Sequence, residues 1–360
     1  MKIIEHPSHV LNHLTVDVIR QAAAEAESMR RLHPDQLEMI YKQRWLNMYV
    51  PKKSGGLELS LPEILRIEES LAWADGSTAW LVTLCSGAAW FIGFLDPRLA
   101  KEVFADEKVC FAGSGAATGT AEVTADGYLI NGAWRYASGS LQATVFTANC
   151  LIRENGKQLY NEDGSPVIQP FLMKRNEVKV LETWNSMGMI ATGSHSFEVK
   201  NLKLSKQRIF KIDGNAVVID NPVFRFPFLQ LAETTLAVNL SGLALRFHDL
   251  SKEIILRKMT NVSQRSMKHV HRMGTKINDS RDEFYRAVNV SWNSCRKKKN
   301  IPKAELNKVS KASHALVKQS RILVDTLYPH CGLIAADTRQ EINRVWRNFH
   351  TATQHSLFRA

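Results

Sequence analysis

The chain has 360 residues, of which 44% are hydrophobic and 23% charged, so it is too long for one small core and suits two or three subdomains that share packing. Its net charge of +12 is placed unevenly, because residues 241–360 hold 23 Lys/Arg against nine Asp/Glu. Five scattered cysteines without a CxxC spacing argue against a disulfide framework and against a structural zinc site.

The first twelve residues do not resemble a signal peptide, since Glu5, His6 and Pro7 stand where an apolar segment is required. Later apolar runs are broken by Gly, Pro or Asp well short of the length of a membrane span. We therefore expect a cytoplasmic protein with no membrane partner.

Residues 1–108 predict an N-terminal helical domain. "VIRQAAAEAESMRRL" is rich in helix formers, and "LPEILRIEESLAWAD" places Pro62 in a first helical turn. "GSTAWLVTLCSGAAWFIGFL" is apolar almost all round, which predicts a central helix buried by its neighbours and ended by Asp96-Pro97.

Residues 109–218 predict a small β domain, a barrel or a sandwich. β-branched residues and alternation mark stretches such as "AEVTADGYLINGAWRYASGS" and "HSFEVKNLKLS". The predicted turns are Asp126-Gly127, Asn155-Gly156 and Asp163-Gly164.

Residues 219–360 predict a C-terminal helical bundle. Helical patterns run through "FLQLAETTLAVNLSGLALRFHDLSKEII", 263–293 and 303–328, and a last helix is expected around 337–355. The basic cluster Arg296 to Lys299 precedes Pro302, so we interpret it as a solvated loop. We do not expect a nucleic-acid partner.

Three stretches carry motifs whose order along the chain is informative: "TADGYLINGAWRYASG", "TWNSMGMIATGSHSFEVKNLKL" and "LYPHCGLIAADTRQEINRVWRNFHTATQH". With the helical segments around them, they resemble the acyl-CoA dehydrogenase superfamily over essentially the whole chain. "GSTAW", the W-x-x-x-SG spacing and the final "HTATQH" are similar to its two-component, reduced-flavin-dependent monooxygenases, such as hydroxylases of 4-hydroxyphenylacetate and dibenzothiophene. The resemblance implies an α+β multi-domain fold with a helical domain, a β domain and a four-helix bundle, assembled as a homotetramer.

The resemblance places a flavin beside the strand that follows Asp126-Gly127. Tyr136 matches the aromatic position next to the ring, and Ser138 matches a catalytic hydroxyl that can donate a hydrogen bond at the N5 edge. Gly139 would let the backbone approach the ring closely. Without the resemblance, the same residues also fit a plain turn at a strand end.

Two further stretches complete the implied site. Trp184 offers a flat face for the ring, although it also fits a core-filling role, and Thr192, Gly193 and Ser194 offer hydroxyls and N–H groups to flavin oxygens or phosphate. On a helix, Arg347, Thr351 and His355 would face one way. Arg347 is then a cofactor-binding cation. His355 matches the histidine that relatives use as a base or hydrogen-bond partner, which is chemistry suited to neutral pH.

The chain departs from the family pattern at several positions. Ser356 stands where some dehydrogenases carry the catalytic Glu, and Ser cannot abstract an α-proton. Glu233 is a relocated alternative, although an exposed carboxylate at a helix start is the plainer interpretation. Ala88 replaces a histidine that monooxygenase relatives often carry, and Ile190 replaces a basic residue.

The resemblance implies a flavin-dependent oxidoreductase that oxygenates a small organic substrate, which includes aromatic compounds, with reduced flavin and O2. Arg257 is a candidate for holding a flavin phosphate, but it lacks the RxxFG context of the FAD-binding dehydrogenases, so FMN and FAD both stay open. A separate flavin reductase is an expected partner. Two alternatives remain: oxidation of an acyl thioester, and flavin binding without catalysis.

Overall fold

The computed structural model describes residues 4–258, 261–297 and 300–358, so Lys298 and Lys299 of the basic cluster lie outside the described residues. Among the described residues before the sheet, five segments are α-helical: α1 (His13–Met29), α2 (Pro34–Lys42), α3 (Leu61–Ala74), α4 (Gly76–Ala89) and α5 (Pro97–Val103). Asp75 begins α4 by accepting the N–H of Thr78 at 2.9 Å. Most side chains of α4 are buried, as its apolar sequence predicts.

The middle of the chain forms one sheet within the described ranges. Its strands are β1 (Phe111–Thr124), β2 (Gly127–Ala137), β3 (Val145–Glu154), β4 (Lys157–Gln158), β5 (Ile168–Lys174), β6 (Lys179–Leu181) and β7 (His195–Ser205). The order is β4-β3-β1-β2-β7-β6, and β5 pairs with β3. Antiparallel pairing of β2 with β7 sets Ala137 opposite His195, and this register brings the ends of both strands together.

Helices follow the sheet: α6 (Pro222–Arg225), α7 (Phe228–Lys258), α8 (Asn261–Lys297), α9 (Lys303–Cys331), α10 (Leu333–Ala336) and α11 (Glu341–Ala352). The long helix α7 packs against α3, α8 and α9. One apolar core therefore joins the helices on both sides of the sheet in sequence, whereas the sheet has a second core around Trp134, Phe146 and Phe197.

The expectation that the apolar runs are too short to span a membrane was wrong. Two helical segments, Gly76–Phe94 and Phe228–Arg257, have the length and composition to do so. Their windows are 83% and 78% buried inside the fold, as is also found for core helices. Length and composition alone are therefore weak evidence for a membrane span here.

Candidate active site

The turn after β2 brings the predicted Tyr136–Gly139 segment against α4. Tyr136 adopts a left-handed φ of 65° where the pairing of β2 with β7 is irregular. Gly139 has a φ of 74°, and a Cβ atom there would lie 2.5 Å from the Sγ of Cys85 on α4. Only glycine gives this turn both its conformation and its close approach to the helix.

Three hydroxyls form a line behind this turn. Ser138 Oγ lies 2.8 Å from Ser194 Oγ, which lies 2.7 Å from Thr192 Oγ1. Thr192 Oγ1 donates to the carbonyl oxygen of Met189 at 2.8 Å. Ser138 and Ser194 are each 5% exposed and Thr192 is fully buried. The structure thus unites three predicted residues, but Thr192 and Ser194 bond to each other rather than presenting their hydroxyls outward.

Gly193 shapes the loop between these hydroxyls. Its φ is 56°, and its carbonyl oxygen accepts a bond from Ser140 Oγ at 2.7 Å. The N–H of Gly139 donates to the carbonyl oxygen of Thr192 at 2.9 Å. These two bonds fasten the turn after β2 to the segment before β7.

Tyr136 and Trp184 form an aromatic pair beside the hydroxyls. Their ring centroids lie 6.1 Å apart, edge to face. Tyr136 is 67% exposed and Trp184 is half-buried. Three bonds fix Trp184: its Nε1–H donates to Met189 O at 2.9 Å, its backbone N–H donates to His195 Nδ1 at 3.0 Å, and its carbonyl accepts from Arg30 at 2.6 Å. Trp184 is therefore held rigidly while the Tyr136 ring reaches solvent.

Arg347 lies on α11, and its guanidinium is already occupied. It forms a two-pronged ion pair with Glu27 of α1 and donates to the carbonyl oxygen of Met187 at 2.8 Å. It also donates to Asn343 at 2.8 Å. These contacts differ from the predicted flavin contact, because an acidic partner on α1 neutralises the charge.

His355 does not extend a helical face with Arg347 and Thr351, and that prediction was wrong. α11 ends at Ala352, and His355 lies in the bend before a short 3-10 turn. Its ring instead meets Trp80 of α4 edge to face, with centroids 6.0 Å apart. Since Cys85 of the same helix contacts Gly139, α4 connects the surroundings of His355 to those of Ser138.

One face of α4 continues this connection as a row of half-buried apolar residues. Trp80, Leu84 and Ala88 follow at helical spacing, and Phe91 comes next in the 3-10 turn after α4. The Phe91 ring lies 5.8 Å from that of Phe228 on α7. This row, called here the apolar row, leads away from His355 without a charged side chain.

Arg257 is not part of the cluster around the turn after β2. Its side chain is 80% exposed and stands 3.9 Å from Glu253. It lines a cavity of about 550 Å³ together with Arg246, Glu341 and neighbouring residues of α7 and 334–342. Arg257 is thus not among the residues that the turn after β2 gathers, and its phosphate-binding role stays a prediction.

Comparisons with known proteins add to this geometry. A family model described as "Acyl-CoA dehydrogenase, C-terminal domain" matches residues 230–360. The structure is similar to XiaF from Streptomyces sp., solved in complex with FADH2 and glycerol, with a TM-score of 0.85 and 21% identity over 96% of this chain and 90% of that chain. Residues 230–360 therefore match the C-terminal domain of the acyl-CoA dehydrogenases, and the fold as a whole is similar to that of XiaF.

Two curated relatives of this chain are monooxygenases. Indole-3-acetate monooxygenase of Pseudomonas putida is 27% identical over 64% of this chain. The flavin-dependent monooxygenase oxygenase subunit HsaA of Mycobacterium tuberculosis is 26% identical over 63% of it. The matched regions span only 57% and 58% of these two relatives.

Neither of the two positions considered for a catalytic carboxylate, residues 356 and 233, presents a free carboxylate. Ser356 is exposed in the last 3-10 turn. The expectation of an exposed Glu233 was wrong, because Glu233 is 6% exposed, accepts from Ser310 at 2.5 Å and lies 3.3 Å from His314. Glu233 therefore belongs to a contact between α7 and α9, and Ala88 and Ile190 are both half-buried and uncharged.

Sequence reasoning missed two residues that shape the site. His195 accepts the Trp184 N–H through Nδ1, so the neutral ring carries its proton on Nε2. Burial lowers the pKa of His195 from its ordinary value, Glu182 opposes that shift and Arg30 adds to it. Cys85 packs under the turn after β2. The "GSHS" sequence and the apolar helix carry no signal for either role.

Proposed function

We propose that this chain is the oxygenase component of a two-component flavin-dependent monooxygenase that hydroxylates a small, uncharged aromatic substrate with reduced flavin and O2. The observation that carries the proposal is the meeting of an exposed Tyr136 ring, a fixed Trp184 and a buried hydroxyl line ending at Ser138. The names of the monooxygenase relatives, and the FADH2 bound to XiaF, support it.

The residues present fit a flavin. Tyr136 and Trp184 offer apolar ring surface at the sheet edge, and Ser138 offers a hydroxyl held in place from behind. Gly139 leaves no side chain that would push the turn away from α4. Either FMN or FAD is compatible with these residues, and Gly193 shapes the loop beside them.

Bound reduced flavin would supply the electrons for oxygen activation. Ser138 would then hold a proton position at the ring edge, while the apolar row excludes water from the reacting centre. His355, packed against Trp80, would hold or move the proton of the substrate hydroxyl or of an oxygen atom.

The apolar row favours an uncharged aromatic substrate. Trp80, Leu84, Ala88 and Phe91 carry no charge, and Ala88 presents only a methyl group. A carboxylate placed on such a surface would lose hydration without gaining a partner. Planar rings would instead pack on Trp80 and Phe91.

The remaining expectations belong to the same proposal. A separate reductase would supply reduced flavin, as the name "oxygenase subunit" of the HsaA relative suggests for that protein. We further propose three domains, 1–108, 109–218 and a four-helix bundle over 219–360. We also propose a cytoplasmic homotetramer in which Arg257 meets a flavin phosphate.

Oxidation of an acyl thioester is the competing function, and it needs a carboxylate base. Ser356 cannot serve, and Glu233 is engaged by Ser310 and His314. An anaerobic titration with reduced FMN, reduced FAD and oxidised FAD, followed by air and a panel of phenols and indoles, distinguishes the two functions. Hydroxylated product that requires reduced flavin supports the monooxygenase. Bleaching of bound oxidised FAD by an acyl-CoA alone would overturn it.

A further inference from the structure

The hydroxyl line of Ser138, Ser194 and Thr192 has a direction. Each hydroxyl owns one proton and can donate one bond, whereas the Met189 carbonyl oxygen at its inner end can only accept. Thr192 therefore donates its hydroxyl proton to the Met189 carbonyl oxygen. Ser194 must then donate to Thr192, and Ser138 must donate to Ser194.

The inner end of the line is fixed by its surroundings. The Met189 N–H donates to Asn348 Oδ1 of α11 at 2.6 Å, and the Met189 carbonyl also accepts the indole N–H of Trp184 at 2.9 Å. A reversed line would set lone pairs of Thr192 against those of the carbonyl at 2.8 Å. The direction is thus imposed from the buried end.

We propose that this line makes Ser138 a hydrogen-bond acceptor and so lets the protein distinguish reduced from oxidised flavin. The inference rests on the proposed flavin site. Reduced flavin carries a hydrogen on N5, which an accepting Ser138 oxygen satisfies, whereas N5 of oxidised flavin carries a lone pair that the same oxygen repels. Under this proposal Ser138 accepts a hydrogen bond from the ring, whereas the sequence-based expectation has it donate one.

The discrimination has a function in a two-component system. Reduced flavin must be captured from a reductase, and oxidised flavin must leave after turnover. Thr192 and Ser194 act on this choice through Ser138 and are therefore positioning residues. Their own hydroxyls are buried behind it.

The test compares two substitutions of Thr192. Thr192→Val keeps the shape but removes the hydroxyl, so the Ser138–Ser194 pair can reverse and Ser138 can donate outward. Thr192→Ser keeps the hydroxyl and the direction. Dissociation constants for photoreduced and oxidised FMN and FAD are measured by anaerobic equilibrium dialysis, and their ratio is the readout. We expect wild-type protein and Thr192→Ser to favour reduced flavin, and Thr192→Val to lower that preference about ten-fold.

Ser140→Ala is the matched control, because the Ser140 hydroxyl bonds to Gly193 outside the line. Its loss can loosen the turn and weaken the binding of both redox forms alike, but it is expected to leave the ratio of their dissociation constants unchanged. An unchanged ratio in Thr192→Val, or a wild-type protein without preference, overturns the inference while leaving a flavin site in place. Failure of wild-type protein to bind either redox form instead contradicts the proposed function, and the inference falls with it.

Discussion

Two buried polar networks in this molecule end in different ways. In the helical core, Glu69 of α3 accepts both prongs of Arg281 at 2.8 and 2.9 Å, with Ser241 at 2.6 Å and Tyr285 at 2.8 Å completing its shell. Beside the sheet, the line from Met189 ends at Ser138. The first network closes on itself, whereas the second leaves the lone pairs of its last hydroxyl available.

The difference shows what each network can do. A closed network of fully paired groups fixes the packing of α3, α7 and α8 and offers nothing to a ligand. Burial alone would raise the pKa of Glu69, but Arg281 and the hydroxyl donors lower it, so the carboxylate stays ionised. A network with an open end can instead direct a bond at a small molecule, and its buried part sets the direction.

Breaking the closed network has the largest expected effect. Arg281→Met leaves the Glu69 carboxylate buried without its counter-ion, which lowers the free energy of unfolding by about 3–5 kcal/mol at pH 7. In wild-type protein the lowered pKa of Glu69 gives stability that is lost as pH falls through that pKa. In the variant Glu69 is stabilised by protonation, so the difference between the two should shrink in acid.

Urea unfolding between pH 4 and 8 measures this difference. The double variant Glu69→Met with Arg281→Met is the control, because it removes both charges, and it should be more stable than the single Arg281→Met variant at pH 7. A single variant as stable as wild-type protein at pH 7 contradicts the assignment of Glu69 as ionised.

The next effect concerns the turn that carries the open end. Gly139→Ala combines a left-handed φ of 74° with a Cβ atom 2.5 Å from Cys85 Sγ. We expect a loss of about 1–3 kcal/mol in the free energy of unfolding and weaker binding of reduced FMN. Cys85→Ala removes the Sγ atom that the new Cβ would meet. The double variant should therefore regain the part of the stability that the clash costs, and it should keep the part of the loss that the left-handed φ causes. Equal losses in the single and double variants would show that the contact contributes nothing.

His195 allows a smaller and pH-dependent change. Its Nδ1 accepts the Trp184 N–H only while the ring is neutral, and burial lowers its pKa below the ordinary 6.5. Below pH 6.5 the unfolded chain gains a proton that the folded chain does not, so stability falls as pH drops towards the lowered pKa. His195→Asn keeps an acceptor without titrating, whereas His195→Leu has no acceptor and should be about 1 kcal/mol less stable than wild-type protein at pH 7.

Hydrogen exchange of the Trp184 amide in flavin-free protein is the direct readout. We expect faster exchange in His195→Leu at pH 7, and in wild-type protein only in acid. The protection of this amide in His195→Asn should not depend on pH through residue 195, because Asn does not titrate. Equal protection in all three proteins would show that Nδ1 does not hold the Trp184 segment.

Sequence patterns predicted the local parts of this structure. The turn predicted at Asp126-Gly127 joins β1 to β2 through Ala125 and Asp126, and the apolar "GSTAWLVTLCSGAA" stretch forms the buried helix α4. The resemblance to the acyl-CoA dehydrogenases is also confirmed, by the family model over residues 230–360, because its motifs are contiguous stretches in a fixed order. Local patterns succeed where neighbouring residues decide the conformation.

Non-local contacts were beyond the sequence. The partner of Arg347 is Glu27, 320 positions away, and periodicity carries no information about such a pair. The hydroxyl line depends on the β2–β7 register, which sets Ala137 opposite His195. Helical spacing also placed His355 on α11, whereas Thr353 caps the helix first by donating its N–H to Phe349 O.

The smallest expected effect on stability is at Arg257. Like the hydroxyl of Ser138, its guanidinium is proposed to meet the ligand. Its head is 80% exposed and only 3.9 Å from Glu253, so Arg257→Gln should change the free energy of unfolding by less than about 0.5 kcal/mol. If Arg257 holds a flavin phosphate, the affinity for reduced FMN and FAD should fall several-fold and depend less on salt. Lys211→Gln is the control, because it removes a cation that is 69% exposed and paired with Asp213. Equal flavin affinity in both variants would remove Arg257 from the site and leave Ser138 as the open end that meets the ligand.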